Sequence, residues 1–135
     1  MRFYATLSLM VAAGFAAGDA GAAEAVSPFA NPDAEWHLVS LNGAALEGEA
    51  NLVFPEPGRM AGLAICNRFS GGMDWSAGSV KIGPLISTKM ACPDMSGEMA
   101  VLAVLNDAER LEITGDQLVI TNTAGDILVY KLASH

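Results

Sequence analysis

The chain has 135 residues, with 15 acidic side chains against 7 basic ones and a formal net charge of −8. Its cations (Arg59, Arg68, Lys81, Lys89, Arg110 and Lys131 after the first segment) are scattered and form no basic stripe of the kind a phosphate backbone requires, which argues against nucleic acid as a partner. Two cysteines and two histidines, His37 and His135, match no zinc-ligand spacing. No metal or other cofactor is expected.

Residues 1–25 read as a secretory signal peptide that is cleaved. Arg2 gives a short positive start, Leu7 to Ala17 is apolar, and small residues follow, with Ala20-Gly21-Ala22 or Gly21-Ala22-Ala23 as the cleavage signal. The apolar run is shorter than the roughly 20 residues of a spanning helix. No cysteine near the cleavage site offers a lipid anchor. The expectation is a periplasmic or secreted location, with no stable membrane insertion once the leader is gone. About 110 residues then remain, enough for one domain with one modest core.

Residues 26–34, with Pro28 and Pro32, read as an extended lead-in. WHLVSL (36–41) alternates Trp36, Leu38 and Ser40 against His37, Val39 and Leu41, and Asn42-Gly43 signals a turn. NLVF (51–54) and MAGLAI (60–65) flank Pro57-Gly58, which suits the centre of a type II turn and predicts a hairpin. GMDWS (72–76), SVKI (79–82) and PLISTKMA (84–91) read as further short strands. Residues 93–106 instead show helical spacing, with Met95, Met99, Leu102 and Asn106 in register, Asp94 as N-cap, and Glu98 where the helix dipole favours an anion. Gly97 costs such a helix roughly 1 kcal/mol. The methionines fit gap-filling core positions. ERLEIT (109–114), QLVIT (117–121) and DILVYKL (126–132) predict an antiparallel meander with Leu111 and Ile113, Leu118 and Ile120, and Ile127, Val129 and Lys131 as matching sets. The fold class is therefore mainly β (α+β): a small antiparallel curved sheet or partly closed barrel with one helix packed across it.

Catalytic constellations are hard to assemble. Ser70 lacks the first glycine of G-x-S-x-G, and no lysine-serine or lysine-threonine pair follows Gly71-Gly72. Asp74, Glu98, Asp107, Glu109 and Glu112 offer carboxylates, better read as solvated than as an acid–base pair. Cys66 and Cys92 have three readings: a disulfide staple, a buried free pair, or a reactive thiol with His37 as base. The staple would close a loop of about 27 residues and add roughly 3.5 kcal/mol of stability. The apolar neighbours Ala64-Ile65 and Met90-Ala91 disfavour a thiolate.

AGLAICNRFSGG (61–72), PLISTKMACPD (84–94) and the helix bearing Glu98, together with Trp36 to Gly43 and the closing meander, resemble the META domain family (the HslJ-like proteins) over residues 35–133. The motif covers Asn67, Arg68, Phe69, Ser70 and Gly71, then Thr88, Met90, Ala91 and Cys92. The resemblance implies a small β-rich envelope domain with a helix, associated with stress response, motility or virulence, and no established catalysis. Asn67 and Ser70 suit side-chain bonds that fix a turn after Cys66, Phe69 suits an anchor in the core, and Thr88 suits a bond across strands. The family usually has glycine where this chain has Ile65, and isoleucine calls for ordinary β geometry there. The expected function is non-enzymatic: binding or stabilising another envelope component. The alternatives are a small apolar ligand held between sheet and helix by Met90, Met95, Met99 and Trp75, or thiol redox work by Cys66 and Cys92.

Overall fold

The structure, a computed structural model, describes residues 25–133. The leader expected over residues 1–25 lies outside the described residues but for its last position, as does His135. Among the described residues nine strands form in order: β1 (Glu35–Leu41), β2 (Ala50–Val53), β3 (Arg59–Ala64), β4 (Arg68–Ser76), β5 (Ser79–Ile82), β6 (Ile86–Ser87), β7 (Ala108–Thr114), β8 (Gln117–Asn122) and β9 (Ile127–Leu132). The helix α1 (Ser96–Asn106) lies between β6 and β7.

Every pairing is antiparallel, and the ring closes. β1 pairs with β2 and β9, β2 with β3, β3 with β4, β4 with β5, β5 with β7, β7 with β8, and β8 with β9. Eight strands thus make a closed barrel, which removes the exposed edges an open sheet would carry. β6 continues the line of β5 along β4 after the Gly83-Pro84-Leu85 interruption, pairing Ser70 with Ile86 and Phe69 with Ser87.

Local chemistry explains several joins. Pro57-Gly58 forms the predicted turn, with the Arg59 amide donating to the Glu56 carbonyl at 3.1 Å and Gly58 at φ +85°. The meander also forms as expected. Its last strand is turned over, however: Leu128 and Tyr130 face the core, while Ile127 is 42% exposed. The register decides this, since Ile120 pairs with Leu128 and Leu118 with Tyr130, and paired residues share a face. A strand apolar on both sides carries no alternation from which to read its phase.

The barrel interior holds Trp36, Leu52, Phe54, Met60, Phe69, Met73, Leu111, Leu118, Ile120, Leu128 and Tyr130, all buried. Burial pushes the Tyr130 phenol far above its ordinary range. Helix α1 lies against β3, β8 and β9. Because β3 and β8 stand on opposite sides of the ring, the helix crosses one barrel end. It does so with Val101, Val104 and Leu105, whereas Met99 is 65% exposed. The predicted methionine stripe is therefore not the core-facing one. The compact aliphatic side chains pack into the barrel mouth, and the helix is rotated to bring them there.

At the other end, residues 26–34 are more than an extended lead-in. Pro28–Ala30 form a 3-10 turn capped by Ser27, whose hydroxyl accepts from the Phe29 amide. Phe29 packs edge-on against Phe54, with ring centroids 6.2 Å apart.

Candidate functional site

The segments that carry the sequence motif meet at the helix-covered end of the barrel. Cys66 and Cys92 are joined by a disulfide, which ties the turn after β3 to the segment entering α1. Of the three readings, the described structure shows the staple, and neither cysteine is free in it. His37, the imagined base, sits exposed on β1 with Glu35 as its partner at 3.0 Å.

Beside the disulfide lies a buried polar cluster. Glu98 and Asn67 are each only 3% exposed. One Glu98 oxygen, Oε1, accepts from two successive backbone amides, Cys66 at 2.8 Å and Asn67 at 2.7 Å. Its other oxygen, Oε2, accepts from Asn67 Nδ2 at 2.6 Å. Two consecutive N–H groups converging on one anion make a backbone nest, here filled by the protein's own carboxylate. Burial pushes the Glu98 carboxyl up, but the Asn67 and Cys66 donors outweigh it and hold the group below the ordinary carboxylate range.

Asn67 uses its whole hydrogen-bonding capacity. Nδ2 donates to Glu98 and to the Met90 carbonyl at 3.2 Å, while Oδ1 accepts from the Met90 amide at 2.6 Å and from the Thr88 hydroxyl at 2.8 Å. Thr88 in turn accepts from the Arg68 amide at 3.1 Å and donates its own amide to the Arg68 carbonyl. One asparagine thereby fastens three segments that are distant in sequence.

The backbone bends for this purpose at Ile65, which adopts φ +82°. Ordinary β geometry was expected there, and the structure overturns it. A β-branched residue at positive φ is strained by about 1–3 kcal/mol. The nest requires the bend, so the strain is held by the bonds to Glu98. The Ile65 side chain uses the space left by a glycine on the helix: a Cβ added at Gly97 would lie 3.0 Å from Ile65 Cδ1. Gly71 has a comparable role, since a Cβ there would meet Leu85 Cδ2 at 2.8 Å where the β5–β6 line crosses it.

The other predicted residues are placed as follows. Phe69 is buried in the core. Ser70 is not in a turn: β4 begins at Arg68, and Ser70 pairs with Ala61 on one side and Ile86 on the other. Only Ile86–Ser87 of the predicted 84–91 strand is a strand; beyond it, the Thr88 amide donates to the Arg68 carbonyl and the Met90 backbone is engaged by the Asn67 side chain. Arg68 and Ala91 are exposed, and Met90 is 58% exposed, its backbone rather than its side chain doing the binding. Trp75 is half-buried on β4 and donates Nε1 to the Leu111 carbonyl at 2.8 Å. With Met90 and Met99 turned outward and Trp75 bound to β7, these residues do not line a common cavity between sheet and helix. The helix starts at Ser96, so its N-cap is Met95, which makes no side-chain cap bond, and not the predicted Asp94; Asp94 Oδ1 instead accepts from the Ser96 amide at 2.9 Å, one residue ahead of the cap. Among the described residues, no group of three or more His, Cys, Asp or Glu is arranged to hold a metal ion.

Sequence reasoning missed the central role of Glu98. A single acid amid apolar residues on a helix that must cross a barrel mouth was the available signal.

The whole of this geometry falls within a match to the META domain family, which spans residues 29–135. The chain belongs to the META domain family. It is 30% identical over 115 residues to the heat shock protein HslJ of Escherichia coli (strain K12), covering 81% of each chain. A protein solved by NMR aligns with a TM-score of 0.65 at 26% identity, over 79% of this chain and 95% of that one. A second NMR structure, from Burkholderia xenovorans, gives 0.63 at 24% identity over 82% and 93%. A crystal structure of a duf4847 family protein from Bacteroides vulgatus gives 0.57 at 16% identity, which shows a shared fold. In this META domain chain, the motif residues mark the place where a turn, a loop and a helix are locked together.

Proposed function

We propose that this META domain protein is an exported, stress-related envelope protein that acts without catalysis, by binding or stabilising another component. The observation that carries this reading is the internal use of the polar cluster at the centre of the motif. Glu98, Asn67 and Thr88 spend their donors and acceptors on backbone and on one another, and Cys66 and Cys92 are bonded together. The motif is thus a scaffold, and the surface it supports is left to make contacts. A leader-like N-terminus, a disulfide and the heat-shock name of a relative support the location and the setting.

The tied segments display large apolar side chains. Ile86 is 76% exposed, alongside Met90 and Met99 on the loop and helix that Asn67 and Glu98 hold. Methionine is suited to adaptable contacts of this kind. The test is cross-linking in intact envelopes, comparing the native chain with Met90→Glu combined with Met99→Glu. The reading expects defined adducts that the double variant loses while its melting temperature stays within a few degrees. Adducts unchanged by the variant, or no adducts under stress, would overturn it.

A further inference from the structure

We infer that Asn42 is a site of intramolecular deamidation that the closed corner between β1 and β9 protects, so that the modification records opening of that corner. This goes beyond the partner-binding role above and does not rest on it. Asn42-Gly43 is the one Asn-Gly step in the chain. The pair forms the two-residue turn after β1, with Leu41 and Ala44 exchanging backbone bonds at 2.9 and 3.0 Å and φ positive at both central residues, +52° and +85°. Gly43 is exposed, a Cβ added to it would meet nothing within 4 Å, and its amide has no acceptor among the described residues.

Asparagine is among the thermolabile residues, and a glycine after it leaves the next amide nitrogen unshielded by any side chain. In the reaction the Gly43 nitrogen attacks Asn42 Cγ. A new C–N bond forms, the carboxamide nitrogen leaves as ammonia with the proton from Gly43, and a cyclic imide remains. Water then opens that ring at either carbonyl, giving an aspartate or an isoaspartate. In the folded chain the carboxamide is held away from this step. Its Nδ2 donates to Asp126 Oδ1 at 3.0 Å, and its Oδ1 accepts from the Ile127 amide at 2.8 Å. Both ends of the group are thus tied to the start of β9, and both bonds must break before Cγ can turn to the Gly43 nitrogen. Asp126 is itself fixed, because Asn122 Nδ2 donates to its Oδ2 at 3.0 Å. The Asn42 and Asn122 donors hold the Asp126 carboxyl below the ordinary carboxylate range, so it is an anion at neutral pH. The product therefore does not fit the closed corner. A carboxylate at position 42 sets an oxygen against Asp126 Oδ1 where a donor stood, and the two like charges repel.

The purified chain is held at mildly alkaline pH, folded in buffer and unfolded in urea, and amide loss at each asparagine is followed by peptide mapping with mass spectrometry. In urea, Asn42 is expected to react faster than every other asparagine, and Gly43→Ala to suppress that reaction. Folding should slow Asn42 about 30-fold, the factor that two ordinary hydrogen bonds supply. Asp126→Ala removes one of them and should raise the folded rate about 5-fold while leaving the urea rate unchanged. Asn122→Ala breaks the neighbouring bond to the same carboxylate, spares the bond to Asn42, and should leave the folded rate near native. The product is tested by melting. Asn42→Asp is expected to melt lower than the native chain, and Asp126→Asn added to it to restore most of the loss by supplying a donor to the new carboxylate. Equal rates at Asn42 in buffer and in urea, a folded rate that Asp126→Ala raises no more than Asn122→Ala does, or no recovery in the double variant would each overturn the inference.

Discussion

Two regions of the barrel are closed in different ways. At the motif, the turn after β3 is fixed by a disulfide, a carboxylate with three N–H donors, and an asparagine with no capacity left over. At the seam between β5 and β7, Ser79 pairs with Arg110 and no second register pair follows. The Leu111 amide reaches the Gly78 carbonyl at 2.9 Å, and Trp75 reaches across to Leu111. Beyond them the strands diverge around a cleft of about 670 Å³ lined by Val80, Ile82, Asp107 and Thr123 among others. Both regions close contacts that are distant along the chain, but one is held by covalent and charge-assisted links and the other by a few neutral bonds. The difference teaches that the motif strengthens the barrel where the backbone is strained, at Ile65, and not uniformly around the ring.

The largest effect is expected from the disulfide. Replacing both Cys66 and Cys92 by serine should lower the unfolding free energy by about 3.5 kcal/mol, read from urea midpoints at unchanged slope. A loss much below 1 kcal/mol would mean that the staple adds little to the polar tie.

Glu98→Gln comes next. The amide that replaces Oε1 or Oε2 would set N–H against N–H, and about 3 kcal/mol should be lost. The same variant tests the charge. A carboxyl held low in the folded state adds stability above its unfolded value near 4.5, and that stability goes as pH falls through the lower folded value. The native protein should therefore weaken as pH drops below about 4.5, and the share of that slope due to Glu98 should be missing in Glu98→Gln. Parallel curves for the two would contradict a charged tie.

At the seam, Trp75→Phe keeps a ring and removes one neutral bond, so about 1 kcal/mol is expected. A loss equal to that of Glu98→Gln would erase the contrast between the regions. The smallest effect concerns strain. Gly97→Ala should bring little gain in the native chain, because its Cβ crowds Ile65, and about 1 kcal/mol of gain when Ile65→Gly is also present. Equal effects in both backgrounds would show that the two residues are not coupled.

The meander, the Pro57-Gly58 hairpin and the existence of one helix were legible in the sequence because alternation, turn chemistry and helical spacing are local. The phase of β9 was not, since Leu128 and Tyr130 can be told from Ile127 and Val129 only by their register with β8. The rotation of α1 depends on which side chains fit the barrel mouth. Asn67 to Gly71 looked like a turn leading to a strand at 72–76, and the strand begins earlier, at Arg68, because β3 and β6 both pair with it. Asn67 and Glu98 stand 31 positions apart, and no local rule joins them. The resemblance named the right segments, while their physical task, holding a strained bend on a buried carboxylate, is visible only once they meet.

Native-state amide hydrogen exchange, resolved by residue, tests the central claim most directly. The account predicts that the Cys66 and Asn67 amides exchange as slowly as those of core strand β8, while the amides of Ser79 to Ile82 exchange through local opening at lower free energy. Fast exchange at Cys66 and Asn67, at the rate of an ordinary surface turn, would contradict it.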